Sequence, residues 1–263
     1  MAAPLSAAKA LKALRAEGVK VVEVSGWATR NRNHKGAWGP VHGVMIHHTV
    51  TRGAKATVDI CRDGHSSLPG PLCHGVITKD GQVHLVGWGR ANHAGLGDDD
   101  VLRAVIAEKQ LPPDNEANTD GNARFYGFEC ENWGDGDDPW PAAQVEAIVR
   151  ASAALCRAHG WGEDGDTSVV GHKEWQPGKV DPLGPGVSMP DIRKRVAERL
   201  KHSASWSPGG AATYTVRRGD TLSRIAAAKL GDAGRWREIA DLNKLTDPYV
   251  IRVGQTLKLP KEN

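Results

Sequence analysis

Apolar positions recur along this chain with two periods. In residues 6–17, Ala7, Leu11 and Leu14 return to one face at helical spacing until Gly18 stops the run, which predicts a short amphipathic helix. Residues 20–24 alternate and predict a strand, and residues 41–50 carry a stronger strand signal that delivers His47 and His48. A short helix follows over 54–63. Residues 73–77 and 82–86 flank Lys79-Asp80-Gly81, and Asp-Gly between two alternating runs predicts a hairpin that extends the sheet. Residues 125–132 read as an interior strand because Phe125, Tyr126 and Phe128 surround its acids; Glu129 and Glu131 share one face and Cys130 takes the other.

Helical spacing returns over 142–159, where Val145, Ile148, Val149, Ala153 and Cys156 form a stripe between Pro141 and Gly160, and again over 189–202 with Ile192, Val196 and Leu200. Residues 28–40 and 65–71 are Gly-, Pro- and Asn-rich loops, and the polar stretch 97–121, with Pro112-Pro113, reads as an insertion over the rim of a cleft. Small residues without periodicity at 203–212 (SASWSPGGAA) predict a flexible linker. Beyond it, 213–260 reads as a strand, two short helices centred near Ile225 and Ile239, and a closing strand. The pattern predicts an α+β domain over 1–202, a mixed sheet flanked by helices, and a small βααβ domain over 213–260.

Composition narrows the possibilities. With 263 residues, 40% apolar and 25% charged, the chain has the make-up of a globular protein with one sizeable core and a small second domain. No stretch approaches the roughly 20 apolar residues of a membrane span, and residues 1–20 hold four cations and no unbroken apolar run of the signal-peptide kind. The expectation is a protein made in the cytoplasm, with no membrane insertion, acting as a monomer. Residues 213–260 carry nine Lys and Arg against five Asp and Glu, so the whole chain's net +3 leaves +3 − 4 − 0 = −1 for residues 1–212, since Lys261 and Glu262 cancel. A near-neutral larger domain argues against nucleic acid as its partner. Cys61, Cys73, Cys130 and Cys156 are too widely spaced for a CxxC site and read as buried thiols.

Residues 169–182, VVGHKEWQPGKVDP, carry the densest chemistry. His172, Lys179 and Asp181 fall within ten residues, and Gln176-Pro177-Gly178 lets the chain fold back so that His172 and Asp181 can meet at one ion. A third ligand has to come from elsewhere, and the strand ending in His47-His48 offers one. Neighbouring strand residues face opposite ways, so only one of that pair can serve. A His, His, Asp set with a lysine nearby is the constellation of a zinc hydrolase with an open fourth position. On 125–132, a carboxylate in an interior strand is costly without a task or partner, which makes Glu129 or Glu131 a candidate.

MIHHTVT at 45–51, GFECEN at 127–132 and GHKEWQPGKVDP at 171–182 together resemble the zinc-dependent N-acetylmuramoyl-L-alanine amidases, the group that includes phage amidase lysozymes and peptidoglycan recognition proteins. The likeness covers about residues 40–200. It implies the amidase-like fold, Zn2+ held by His47, His172 and Asp181, and Glu129 with Lys179 as the catalytic pair, leaving Glu131 as the alternative. His93, in Ala91-Asn92-His93-Ala94-Gly95, and Asn132 become substrate-contact candidates. Some relatives carry a bridge near Cys61 and Cys73, so a disulfide there after release is a second reading beside free thiols.

From Tyr214-Thr-Val-Arg-Arg-Gly-Asp-Thr-Leu to Val253-Gly-Gln-Thr-Leu-Lys-Leu-Pro260 the chain resembles a LysM module, whose ligand groove would correspond to Gly219, Asp220, Thr221 and Leu222 together with 247–251, bounded by Asp247 and Ile251. The basic balance of 213–260 suits docking on an anionic wall, making peptidoglycan the expected partner. The implied reaction is hydrolysis of the amide between the lactyl group of N-acetylmuramic acid and L-alanine, in the manner of a phage endolysin. Glu129 would move the proton and Lys179 would face the developing oxyanion. Two other readings stay open: a zinc-free peptidoglycan-binding protein on the same fold, and a peptidase cutting within the stem peptide. Nine tryptophans among 14 aromatics suit a sugar-binding cleft as well as a core.

Overall fold

The computed structural model describes residues 2–162, 168–206 and 212–260. Two compact units are present, Met1–Ala204 and Ser205–Asn263. Residues 207–211 of the expected linker lie outside the described residues. In chain order the first unit contains α1 (Ala7–Ala16), β1 (Lys20–Glu23), β2 (Gly43–His48), α2 (Ala54–Asp63), the short pair β3 (Gly64–His65) and β4 (Leu68–Pro69), β5 (Gly75–Ile77), β6 (Gln82–Leu85), β7 (Leu96–Gly97), α3 (Asp99–Ile106), β8 (Thr119–Asp120), β9 (Phe125–Cys130), α4 (Ala142–His159), β10 (Val169–Gly171) and α5 (Met189–Leu200).

Six strands form one mixed sheet in the order β1-β6-β5-β9-β2-β10. Only β5 and β6 pair antiparallel within it, as the hairpin predicted around Gly81, which sits at φ +79°, a conformation that suits glycine. The central strands β5, β9 and β2 are buried on both faces almost throughout, as strands covered by helices must be. Val44 and Ile46 of β2 with Tyr126 and Phe128 of β9 share a core with residues of α1, α4 and α5. Met45, Phe125 and Val170 face the other way and pack with α3 and Trp175.

The expectation of a rim insertion over 97–121 is corrected here. Its Val101, Leu102 and Val105 are the buried face of α3 and belong to the core on the sheet's second face. Asp98 is the reason the segment folds. Its Oδ1 accepts from the Asp100 and Val101 N–H groups at 2.7 and 3.3 Å, capping the helix, and its Oδ2 accepts from Asn115 and Glu116 N–H at 2.7 and 3.2 Å. One buried carboxylate thus ties the start of α3 to the far end of the segment.

A second polar element joins the helices on the first face. Glu17, fully buried after α1, accepts from Nε of Arg199 on α5 at 2.9 Å and from Nε of Arg157 on α4 at 3.1 Å. All four cysteines are buried free thiols, and Cys61 and Cys73 share a small core with Val58, Val76 and Val86. Hydrogen bonding to Cys73 and burial push the Cys61 thiol up.

The second unit has the predicted βααβ order. β11 (Ala212–Thr215) pairs antiparallel with β12 (Thr256–Leu259), and α6 (Leu222–Leu230) and α7 (Trp236–Leu242) pack Leu222, Ile225 and Ile239 against Val216, Leu257 and Leu259. No described helix is long and apolar enough to cross a membrane.

Candidate metal centre and active site

The register of the sheet builds the site. β2 and β9 run parallel with His47 opposite Glu129 and His48 opposite Cys130. Because Met45 and Phe125 face α3, alternation brings His47 and Glu129 out on that same face, side by side. β10 lies on the other side of β2 with Gly171 opposite Ile46, and the chain leaves it directly into a single turn over His172–Glu174. After the Pro177-Gly178 reversal, the Asp181 carbonyl accepts from Lys173 N–H at 2.7 Å, which returns Asp181 to His172.

Three ligand atoms converge. His47 Nδ1 lies 3.0 Å from His172 Nδ1 and 3.2 Å from Asp181 Oδ2, and His172 Nδ1 lies 3.1 Å from the same oxygen. All three residues are buried. Burial, then the neighbouring His172, pushes His47 down to about 4, which keeps it neutral. Asp181 stays below the ordinary carboxylate range: burial works to raise it, but the adjoining His172 and His47 rings outweigh that.

The donor set fits a tetrahedral metal ion. Ligands about 2.0 Å from such an ion stand about 3.3 Å apart, close to the spacings found. Neutral imidazoles and an ionised carboxylate present more lone pairs than protons to this point, an arrangement that a cation relieves.

Glu129 is half-buried, and its Oε2 is a buried oxygen with no hydrogen-bond partner among the described residues. Burial first, then the charge of Asp181, pushes its carboxyl well above the usual range, while Lys179 pulls it the other way. Lys179 is exposed, and its charge also acts on His47. Glu131, the alternative, is occupied otherwise: its oxygens accept from Gly53 N–H at 2.9 Å and Lys79 N–H at 3.1 Å, pinning two loops. His48 points away from the cluster, and its Nδ1 accepts from Leu183 N–H at 3.4 Å.

Two expected substrate contacts have structural surroundings. His93 is buried with its Nδ1 3.1 Å from Nε2 of His47, behind the ligand and not in the open. Asn132 is fully buried; its Nδ2 donates to the Asp138 carbonyl and its Oδ1 accepts from Gly134 N–H, so both ends of the amide hold the loop after β9. The substrate-contact expectation for Asn132 is corrected accordingly, since its amide oxygen and nitrogen are already engaged.

In the second unit Gly219, Thr221 and Asp247 are exposed, Leu222 is buried and Ile251 packs against the small core. Thr221 caps α6, and Asp220 Oδ2 accepts from Arg217 N–H and the Tyr214 hydroxyl at 2.7 and 2.8 Å, shaping the turn.

Sequence reasoning passed over two residues. Gln176, read only as part of the turn, places Oε1 3.2 Å from His172 Nε2; its signal is the spacing of four residues from His172. Asn122 accepts from the N–H groups of His93 and Ala94, each at 2.8 Å, and carries no local signal at all.

A His-His-Asp cluster that could hold a metal ion thus lies beside the half-buried Glu129, on a mixed sheet covered by helices. Residues 37–184, more than half of the chain, match the N-acetylmuramoyl-L-alanine amidase family, and residues 214–260 match the LysM domain. The chain belongs to the N-acetylmuramoyl-L-alanine amidase family. It is 28% identical over 177 residues to the amidase XlyB of Bacillus subtilis (strain 168), covering 64% of this chain and 53% of that protein. To XlyA of the same organism it is 33% identical over 143 residues, covering 54% and 41%. The chain spans about half the length of these curated relatives. Among solved structures, the endolysin amidase LysCS from Clostridium intestinale URNW is similar at 18% identity, covering 67% of this chain and 95% of that one, with a TM-score of 0.45.

Proposed function

We propose that this chain is a zinc-dependent peptidoglycan hydrolase that cleaves the amide between the lactyl group of N-acetylmuramic acid and L-alanine, with its LysM unit holding the enzyme to the wall's glycan. The observation that carries the reading is the convergence of His47, His172 and Asp181 beside Glu129, within the span that matches the amidase family. His47, His172 and Asp181 would hold the ion. Zinc, when bound, supplies a Lewis acid that activates water and polarises a carbonyl at neutral pH.

The protein's own residues do the rest. Glu129 takes a proton from the attacking water and passes it to the amine of L-alanine as the C–N bond breaks. A half-buried carboxylate with a raised affinity for protons is suited to both halves of that task. Lys179 provides positive charge toward the oxygen that becomes anionic in the tetrahedral stage. His93, expected at the substrate, acts in this reading through His47, behind which it lies. In the LysM unit, the turn from Gly219 to Leu222 and the segment from Asp247 to Ile251 would contact N-acetylglucosamine-containing glycan, placing the site of action at the cell wall.

Mass spectrometry of digested peptidoglycan tests this. Free muramic acid lactyl groups together with stem peptides that begin at L-alanine are the expected products. Cleavage inside the stem peptide, or binding without any cleavage by zinc-loaded protein, would overturn the assignment in favour of a peptidase or a binding protein.

A further inference from the structure

We infer that Gln176 and His93 are positioning residues that hold both imidazoles of the centre with Nδ1 turned inward, an inference that rests on the metal-centre reading above. Each histidine ligand uses one nitrogen for the cluster and the other for an outer partner. His172 Nε2 lies 3.2 Å from Gln176 Oε1, and an amide oxygen only accepts. That contact forms only when His172 carries its proton on Nε2, which leaves the lone pair on Nδ1, the atom that faces Asp181 at 3.1 Å.

His47 repeats the arrangement. Its Nδ1 faces the cluster and its Nε2 lies 3.1 Å from His93 Nδ1. His93 accepts there when its own proton sits on Nε2, a buried nitrogen with no partner among the described residues.

Both outer partners are fixed by the backbone around them. Gln176 N–H donates to the His172 carbonyl at 3.1 Å, and its amide lies over Gly95, where an added Cβ would stand 3.1 Å from Oε1. The His93 ring lies against Gly127 of β9, where a Cβ would stand 2.5 Å from Nδ1, and Asn122 fixes the His93 backbone. Two glycines thus open the space that two hydrogen-bond partners fill. Such partners fix the ring tautomer and raise the ligand's basicity, and losing one typically weakens metal binding about 10–100-fold.

The test has two arms on the full chain. In zinc-free wild type at neutral pH, nitrogen-15 NMR of the histidine rings should show His172 and His47 in the Nε2–H form; an Nδ1–H form at His172 would overturn the inference. Zinc affinity, measured by competition with a chromophoric chelator, should fall about 10–100-fold in Gln176→Ala and in His93→Phe, whereas Gln176→Glu, which restores an acceptor, should stay within about threefold of wild type. Unchanged affinity in folded Gln176→Ala would also overturn it. If wild type takes up no zinc, the metal-centre reading fails while the tautomer arm still decides the roles of Gln176 and His93.

Discussion

His47 and Glu129 are register partners on adjacent parallel strands, so one pairing of β2 with β9 sets the distance between the proposed ligand and the proposed proton-transfer group. A slip of one residue in either strand would turn its side chain into the opposite core and part the pair. The two carboxylates near this point therefore have separable roles. Glu129→Gln should keep zinc and wall binding but lower turnover by about 10²-fold or more. Glu131→Gln, which weakens acceptors for Gly53 and Lys79 N–H, should instead destabilise the fold by about 1–3 kcal/mol with catalysis per folded molecule largely kept. Turnover and urea unfolding on both variants check the split; the reverse pattern would exchange the assignments.

Metal removal should abolish wall lysis, and zinc should restore it. His172→Ala and Asp181→Ala each remove one of the three proposed protein ligands, so each should lose bound zinc and lower activity by more than about 100-fold. Elemental analysis of purified protein reads the metal directly, and activity persisting in fully demetallated wild type would exclude the zinc reading.

Acid should destabilise the first unit. His74 is fully buried, its Nδ1 accepting from Gly127 N–H and its Nε2 facing the Gly89 carbonyl, each at 2.8 Å, and burial pushes it down to about 4 from the ordinary 6.5. The unfolded chain gains this proton below about 6.5 while the folded chain refuses it until about 4, so stability present at neutral pH is lost across that window as pH falls. The loss at this one site is about 3 kcal/mol when complete. His159, also pushed down to about 4 by burial, adds to the same window. Urea unfolding at several pH values between 7.5 and 4.5 should show the slope, shallower in His74→Gln; equal slopes would remove His74 as a cause.

The Glu17 carboxylate holds a guanidinium that is 1% exposed. Glu17→Gln should remove the nearer of two carboxylates from Arg199, Glu146 standing at 3.7 Å, and cost about 3 kcal/mol. Because the network lies among α1, α4 and α5, zinc affinity of the folded variant should not change. Thermal unfolding beside chelator competition separates the two quantities.

Removing residues 205–263 should cut sedimentation with intact sacculi, and lysis of them, while cleavage of small soluble muropeptides stays near normal, since residues 1–204 include every residue of the proposed centre. Tethering raises the local concentration of an insoluble substrate without adding a catalytic contact. Loss of soluble cleavage by a shortened chain that retains native circular dichroism would make the second unit part of the active site.

Much of this protein is local and therefore legible in its sequence. The stripe of α4, the Asp-Gly hairpin of β5 and β6 and the βααβ order of the second unit follow from periodicity and turn chemistry, because each depends on residues close in sequence. Alternation along β2 was enough to show that His47 and His48 could not both be ligands. What it left open, which histidine and which glutamate face the cluster, depends on long-range pairing: β2 with β9 decides which face meets α3, and the contacts of Glu131 with Gly53 and Lys79 cross 78 and 52 positions. The helix in 97–121 was hidden because its fold depends on Asp98 reaching residues 115 and 116, a tertiary bond inside a polar stretch. His93 behind His47 and Gln176 behind His172 were decided only in three dimensions, since a hydrogen bond depends on separation and direction in space, and spacing along the chain supplies neither.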